Sequence, residues 1–362
     1  MDKLTLAEAL LCDFVWLSAL IFFYCKTYNS SNAKKTTGYF GLWLFIALYS
    51  TFEFTGGDFF HYKELYTDII KAKQSIHMED FYCWLALNLP SSFYIWRFFV
   101  WGMAAFFWIL TLRNLKQDVY FAGLWFVLVA FFLFVGARQA LCFSVQYYAV
   151  SLLFREKHIS AMSVVVAIAI LWASLFLHKT AIVYVLVITL AFLPIGKRSV
   201  LLSVILFPLL YIIFDQLTAN FIQYYSFYNE GNAATMERYM NGENLEANFN
   251  GMIRQVINRL PILILLAYSL KKVYFVKYAV DNKLMKVLLN ISYMLIYISS
   301  LFSGRDVSGF IAPRFWDAAY FPLTLFLSSF LFENKKDKII KLSINLLIIS
   351  QLYTIAYTIY KL

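Results

Sequence analysis

The stretch FVGARQALCF, residues 134–143, places Arg138 between two long runs of apolar residues, 119–135 and 140–154. A helix that crosses a bilayer needs about 17–25 predominantly apolar residues, and these runs approach that length. A guanidinium is costly inside hydrocarbon, so it is expected at the membrane surface, where one span ends and the next begins. The stretch therefore predicts two membrane helices joined by a short turn that carries a cation.

The composition of the whole chain agrees with this local pattern. Of 362 residues, 62% are hydrophobic and 14% are charged, whereas soluble domains carry about 25% charged residues. The net charge of +10 does not indicate a nucleic-acid partner, because the basic residues lie in short loops between apolar runs. The four cysteines form no C-x-x-C pair, which excludes a zinc or disulfide framework. The sequence predicts an all-α, polytopic integral membrane protein.

The apolar runs indicate a topology. Alternate connections between them are rich in Lys and Arg, as in RNLKQD and ENKKDK, and belong on the cytoplasmic side. Both termini are then external, and residues 1–362 form a single transmembrane domain. About twelve spans are predicted, at 6–25, 39–54, 93–112, 119–135, 140–154, 159–177, 180–195, 199–216, 258–275, 285–303, 314–332 and 339–359.

The predicted external side collects most of the polar chemistry. Two long segments lie there, 55–92 and 217–257, and both contain stretches whose apolar spacing suits helices in the interface plane. An outward excess of arginine runs against the usual bias of membrane loops. The ionisable residues on this side are Asp58, His61, Arg97, Arg138, His178, Arg254, Arg259, Arg305 and Arg314.

An arginine presents a planar fork of donors that grips phosphate oxygens in bidentate fashion. At a membrane, the anion that fits is a lipid phosphate or pyrophosphate. The alternative is that each arginine contacts headgroups or pairs with a nearby acid, as Arg305 with Asp306 and Arg314 with Asp317. No external pair of acids suited to a divalent metal is present, nor is a Walker A loop. We therefore expect no metal and no cofactor, and an activated substrate as the source of free energy.

Four short motifs, in this order along the chain, resemble the EpsG-type family of bacterial exopolysaccharide and O-antigen polymerases, commonly called Wzy. The first is G-x-D-x-x-x-Y in an outer segment, the second R-Q-A-L at the start of a span, the third H-x-[ST]-A, and the fourth R-x-x-x-x-x-Y. They are carried by Gly56, Asp58, Tyr62, Arg138, Gln139, His178, Thr180, Ala181, Arg314 and Tyr320.

The resemblance implies a GT-C-like glycosyltransferase of the bacterial inner membrane with its active site facing the periplasm. Its substrates would be undecaprenyl-pyrophosphate-linked oligosaccharides, and the growing chain would pass to a new lipid-linked repeat unit. A chain-length regulator and a flippase of lipid-linked sugars are candidate partners beside the membrane lipids. Arg138 would stabilise the pyrophosphate leaving group, and Asp58 or His178 would be the general base, with His61 and Asp306 as further possibilities. Substrate-binding candidates are Arg254, Arg259, Arg314, Arg305, Arg97, His61, Tyr62 and Tyr320.

Two other functions fit parts of the sequence. An O-antigen ligase also uses external arginines and a histidine on lipid-linked chains, and the order of the motifs favours the polymerase over it. A transporter of lipid-linked oligosaccharide would place ionisable groups near the bilayer midplane and contain internal repeats. Here those groups cluster at one face, with Asp13 the main exception.

Overall fold

The computed structural model describes thirteen stretches of the chain, and each of them is helical or connects helices. No strand occurs within these stretches. They are residues 3–29, 36–52, 58–72, 80–89, 92–129, 136–154, 160–178, 181–193, 195–228, 249–276, 283–302, 308–334 and 336–361.

Fourteen α-helices follow one another in the described residues, and a π-helical turn, Lys271–Phe275, extends the eleventh. Their bounds are α1 Lys3–Asn29, α2 Thr36–Phe52, α3 Asp58–Ala72, α4 Asp80–Asn88, α5 Phe93–Asn114, α6 Val119–Val129, α7 Ala137–Leu152, α8 Ala161–Ser174, α9 Ala181–Ala191, α10 Lys197–Tyr228, α11 Phe249–Leu270, α12 Lys283–Phe302, α13 Ser308–Asn334 and α14 Lys338–Lys361.

The all-α prediction is confirmed, and every predicted apolar run overlaps a helix. Three described helices are long and apolar enough to cross a membrane, at Leu10–Thr27, Phe93–Asn114 and Lys283–Leu301. Four shorter helices are also apolar, at Gly38–Phe52, Val119–Val129, Ala161–Ser174 and Ala181–Ala191. The protein is therefore a helical membrane protein, while the number of spans stays a prediction.

The two long segments that were predicted to be external differ in structure. Segment 55–92 contains α3 and α4, and α3 is amphipathic, since Phe59, Tyr62, Tyr66 and Ile69 are buried at helical spacing. In segment 217–257, by contrast, α10 runs on to Tyr228 and α11 already begins at Phe249. The predicted interfacial helix and the span after it are one continuous helix, because the apolar spacing persists across the predicted boundary. Residues 229–248 lie outside the described residues.

The chain divides into two compact units. The first comprises Met1–Leu186, Thr324–Asp337 and Gln351–Leu362, and the second comprises Val187–Leu323 and Lys338–Ser350. In the first unit α5 packs along α2 and α7, and α1 packs along α6. Aromatic side chains fill these contacts: the Phe126 ring lies 5.8 Å from Trp16 and 6.2 Å from Trp108. Such pairs contribute about 0.5–1.5 kcal/mol each beyond their buried area.

One helix contact of the first unit requires a glycine. A Cβ added at Gly123 of α6 would lie 2.3 Å from Cε1 of Phe23 on α1, and that ring is buried. We expect Gly123→Ala to lower the free energy of unfolding by about 1–3 kcal/mol, since the packed ring has little room to move. Gly41→Ala is the matched control, because its Cβ would meet no heavy atom within 4 Å. Thermal unfolding in detergent tests this, and equal midpoints for the two variants would contradict it.

In the second unit, polar side chains join neighbouring helices. The Tyr297 hydroxyl of α12 donates to the Ser203 carbonyl of α10 over 2.6 Å. The buried Asn290 amide, also on α12, donates to the Ala191 carbonyl over 3.3 Å and accepts from the Tyr274 hydroxyl. In an apolar environment such bonds define which faces of the helices meet. α12 is thereby held in one rotational setting against α9, α10 and the π-helical turn.

Candidate functional site

Arg138 lies in the first turn of α7, and a glycine sets the entry to that helix. Gly136 has φ 73°, a conformation that favours glycine, and its carbonyl accepts from the Ala140 amide over 2.9 Å. The chain therefore turns sharply just before α7, and Arg138 lies at the amino end of this helix. Backbone N–H groups and the positive end of the helix dipole favour anions at this position.

Two tyrosines hold Arg138 in place. Its Nε donates to the Tyr62 hydroxyl over 3.2 Å, and its Cζ lies 5.2 Å from the centroid of the same ring. The Tyr82 hydroxyl donates to the Arg138 carbonyl over 3.2 Å, and Tyr82 is in turn fixed by Trp96, whose Nε1 donates to its carbonyl. Arg138 as a residue is partly exposed. Helices α3, α4 and α5 thus orient a cationic residue that is not fully buried.

An aromatic frame supports these tyrosines. The Trp96 ring lies 6.3 Å from Tyr62 and 5.9 Å from Tyr66, and it stacks on Phe93 at 6.0 Å. The Tyr66 hydroxyl is buried, and burial raises its pKa, so this phenol stays protonated at neutral pH. Aromatic packing therefore supports the two tyrosines that contact Arg138.

Arg97 has a different environment from Arg138. It is 5% exposed, its Nε donates to the Ser50 carbonyl over 3.0 Å, and its Cζ lies 4.7 Å from the centroid of the Phe59 ring. These contacts join α5 to α2 and α3. They give Arg97 a structural role, and substrate binding by this residue stays a prediction.

His178 lies between α8 and α9, and α7 holds both ends of its segment. The His178 carbonyl accepts from the Ala181 amide over 2.9 Å, which starts α9. Gln146 of α7 is fully buried, and its Nε2 donates to the Ser174 hydroxyl over 3.1 Å and to the Ala181 carbonyl over 3.2 Å. One side chain thus bridges the end of α8 and the beginning of α9.

Two further residues on α7 contact the same pair of helices. The Cys142 thiol lies 3.7 Å from the Ser174 carbonyl, and the Gln139 amide donates to the Tyr184 hydroxyl over 3.1 Å. Positions 139, 142 and 146 share one face of a helix. The helix that begins with Arg138 therefore also fixes the backbone on both sides of His178.

A second cluster lies in the second unit. The Cζ of Arg259 on α11 is 5.0 Å from the Trp316 ring on α13, and Trp316 Nε1 donates to the Tyr320 hydroxyl. Asp317 follows Trp316 directly. A guanidinium over an indole ring is held by a cation–π attraction. Trp316 thus links Arg259 to Tyr320, and the predicted role of both residues in substrate binding stays a prediction.

The remaining predicted residues are only partly described. Asp58 is the first residue of α3, and His61 follows one turn later, whereas Arg254 lies in α11 and Arg314 in α13. The structure does not describe the side chains of these four residues. Arg305, Asp306 and Thr180 lie outside the described residues altogether. Their roles stay predictions. Among the residues described, no group of three His, Cys, Asp or Glu side chains is placed to hold a metal ion.

Sequence reasoning did not single out Tyr82, Trp96, Trp316 or Gln146. The aromatic residues look like interfacial packing when only the sequence is read, because spacing does not show which carbonyl a tyrosine or indole reaches. Gln146 did leave a signal, since it is a strongly polar residue within a predicted span and such residues usually bond to a neighbouring helix.

Comparison with known proteins adds one finding to this geometry. A model of the EpsG family matches residues 15–362, nearly the whole chain. Neither a curated protein nor a solved structure matches the chain.

Proposed function

The chain belongs to the EpsG family, the family of Wzy-type polysaccharide polymerases, and we propose that it polymerises undecaprenyl-pyrophosphate-linked oligosaccharides. Membership gives the protein a polysaccharide-polymerase type of function. The proposal adds the direction of transfer: the growing glycan leaves its carrier lipid and is joined to the non-reducing end of a newly delivered repeat unit.

The proposed reaction is a glycosyl transfer. A hydroxyl oxygen of the new repeat unit attacks the anomeric carbon of the growing chain and forms the new glycosidic bond. The bond between that carbon and the pyrophosphate oxygen breaks, and undecaprenyl pyrophosphate leaves with the electron pair. The proton of the attacking hydroxyl passes to a general base, for which Asp58 and His178 are the candidates.

The fixed orientation of Arg138 is the observation that supports this proposal most directly. The leaving pyrophosphate gains negative charge in the transition state, so a cation that is already oriented lowers the barrier without rearranging. Tyr62 and Tyr82 provide such orientation, since they hold the side chain and the backbone of Arg138 respectively. A partly exposed arginine at the amino end of a helix suits an incoming phosphate.

The second cluster supports a further contact with substrate. Arg259 is partly exposed and held against Trp316, and Tyr320 adds a hydroxyl bonded to the indole. We assign Arg259 to binding of pyrophosphate or of the adjacent sugars, together with Arg254, Arg305 and Arg314. Tyr62 and His61 are assigned the same role beside Arg138.

The proposed setting is the bacterial inner membrane, with the site facing the periplasm. In this setting the chain is a single, GT-C-like transmembrane domain of about twelve spans. The apolar helices support the membrane setting. A flippase would deliver the lipid-linked repeat units and a chain-length regulator would limit growth. Lipid-linked oligosaccharide and membrane lipids are the partners that the reaction itself requires.

Deletion of the gene tests the proposal. Surface polysaccharide from the deletion strain is resolved on a gel, with and without the wild-type gene supplied again. A ladder that collapses to one repeat unit on its acceptor, and returns with the gene, is the expected result. Full-length chains that accumulate on carrier lipid would instead indicate a ligase, and repeat units held in the cytoplasmic leaflet would indicate a transporter. An unchanged ladder would refute the polymerase.

A further inference from the structure

The carboxyl end of α5 contains a lysine in a backbone conformation that usually requires glycine. The Gln117 amide donates to the Leu112 carbonyl and the Lys116 amide donates to the Arg113 carbonyl, each over 3.0 Å, which is the Schellman pattern of helix termination. Lys116 occupies the left-handed position with φ 54°. Among the described residues it is the one non-glycine residue with positive φ. Glycine would adopt this backbone conformation more easily than lysine does. A function of the lysine side chain would account for the presence of lysine at this position.

Lys116 lines a cavity. The cavity has a volume of about 370 Å³ and is lined by Leu110, Arg113, Asn114, Lys116 and Tyr148. Two cations, an amide and a phenol thus surround a space large enough for a phosphate group with part of its substituent. Arg113 and Lys116 are both exposed, and neither forms an ion pair with any other described residue.

The acid nearest in sequence is already engaged elsewhere. Oδ1 of Asp118 accepts from the backbone amides of Tyr120 and Phe121 over 3.0 and 2.9 Å and so caps α6. The cap places this charge at the amino end of α6, and among the described residues no ion pair joins it to Arg113 or Lys116. Asp118 and Arg113 both act electrostatically on the Tyr39 hydroxyl, so this acid offsets only part of the positive charge of Arg113 and Lys116.

The walls of the cavity are fixed by hydrogen bonds. Asn114 Nδ2 donates to the Ser151 hydroxyl over 2.9 Å, and that hydroxyl donates to the Tyr148 carbonyl over 2.7 Å. Gln117, which follows Lys116, donates to the Leu325 carbonyl, and its own carbonyl accepts from the Tyr39 hydroxyl over 2.5 Å. Helices α5 and α7 thus present the cavity in a defined shape before any ligand arrives.

We propose that this cavity binds a phosphate group, with Arg113 and Lys116 contacting its oxygens and Asn114 and Tyr148 contacting the adjoining part of the ligand. α5 has 22 residues and is about 33 Å long at 1.5 Å per residue. The cavity therefore lies at the opposite end of that helix from Arg97, and it is distinct from the Arg138 site. In the proposed topology it faces the inner leaflet, whose anionic phospholipids carry a phosphodiester without the choline cation that balances the charge in phosphatidylcholine, and a soluble phosphate compound offers the same anionic chemistry.

The test compares Lys116→Gly with the wild-type protein. Full-length protein is placed in nanodiscs of phosphatidylcholine, with or without phosphatidylglycerol, and in a third series with inorganic phosphate. Thermal unfolding and native mass spectrometry report stability and bound lipid. In phosphatidylcholine alone, Lys116→Gly should be as stable as wild type or more stable, because glycine relieves the backbone, yet its affinity for the phosphate ligand should fall at least tenfold. Arg113→Gln should lose affinity similarly, and Arg198→Gln, an exposed cation at the start of α10, should not.

The arms of this experiment separate the sources of the phosphate. Stabilisation by phosphatidylglycerol alone identifies a lipid headgroup, and stabilisation by inorganic phosphate alone identifies a soluble ligand. If Lys116 only terminates the helix, Lys116→Gly should bind the phosphate ligand as tightly as the wild-type protein. That outcome, or the absence of stabilisation in both series, would overturn the proposal. None of these measurements requires polymerase activity, so the result does not depend on the proposed function.

Discussion

Replacing Arg138 with alanine is expected to reduce polymer formation by at least about 100-fold, the loss that follows removal of one preorganised donor to a developing anion. The variant should still fold. The Tyr82 hydroxyl bonds to the backbone carbonyl of Arg138, which alanine retains, and the side-chain contact with Tyr62 is made by a partly exposed residue. Loss of activity with a normal amount of protein in the membrane would therefore report the chemistry of the guanidinium.

Three further variants refine this measurement in the complemented deletion strain. Arg138→Lys retains the charge without the planar fork, so it should be intermediate between wild type and alanine. Tyr62→Phe keeps the ring below the guanidinium and removes one neutral hydrogen-bond partner, so it should remain within about tenfold of wild type. Arg198→Ala, far along the chain at the start of α10, should give a wild-type ladder. A full ladder from Arg138→Ala would exclude the leaving-group role.

The sequence predicts the helical membrane fold well because apolar runs and loop charges act over short distances. The position of Arg138 at the start of a helix was predicted from the apolar runs on either side of it, whereas its contact with Tyr62 was not predicted. Segment 217–257 was predicted less well. A helix that continues past a membrane surface carries no local signal for its end, and α11 passes through Pro261 without ending.

The supporting contacts of the site lie beyond sequence reasoning for a physical reason. Tyr82 reaches the Arg138 carbonyl across 56 residues, and Gln146 reaches Ser174 and Ala181. Such bonds depend on how helices rotate against one another, and periodicity alone does not determine that rotation. The left-handed lysine at position 116 is a similar case, since its residue type predicts the opposite backbone conformation.

Replacing His178 with glutamine is expected to reduce polymer formation by about 100-fold or more, as removal of a general base does. Glutamine has a similar polar character but accepts no proton at working pH. The segment that carries His178 is held from both sides by Gln146 of α7, the helix on which Arg138 lies. The backbone around His178 is therefore well fixed, and Asp58 stays the alternative base. Chain extension from lipid-linked repeat units in proteoliposomes, measured across pH, gives the required rates.

The comparison of His178→Gln with Asp58→Asn decides between the two bases. A general base stops working when it is protonated, so the variant that lacks the base also lacks the corresponding loss of activity at low pH. If His178 is the base, wild-type activity should decline as the pH falls through the lower range, and the residual activity of His178→Gln should lack that decline. Asp58→Asn should keep it, whatever its effect on the rate. The reverse pattern, with the decline retained in His178→Gln, would transfer the role away from His178 and leave this residue with substrate binding.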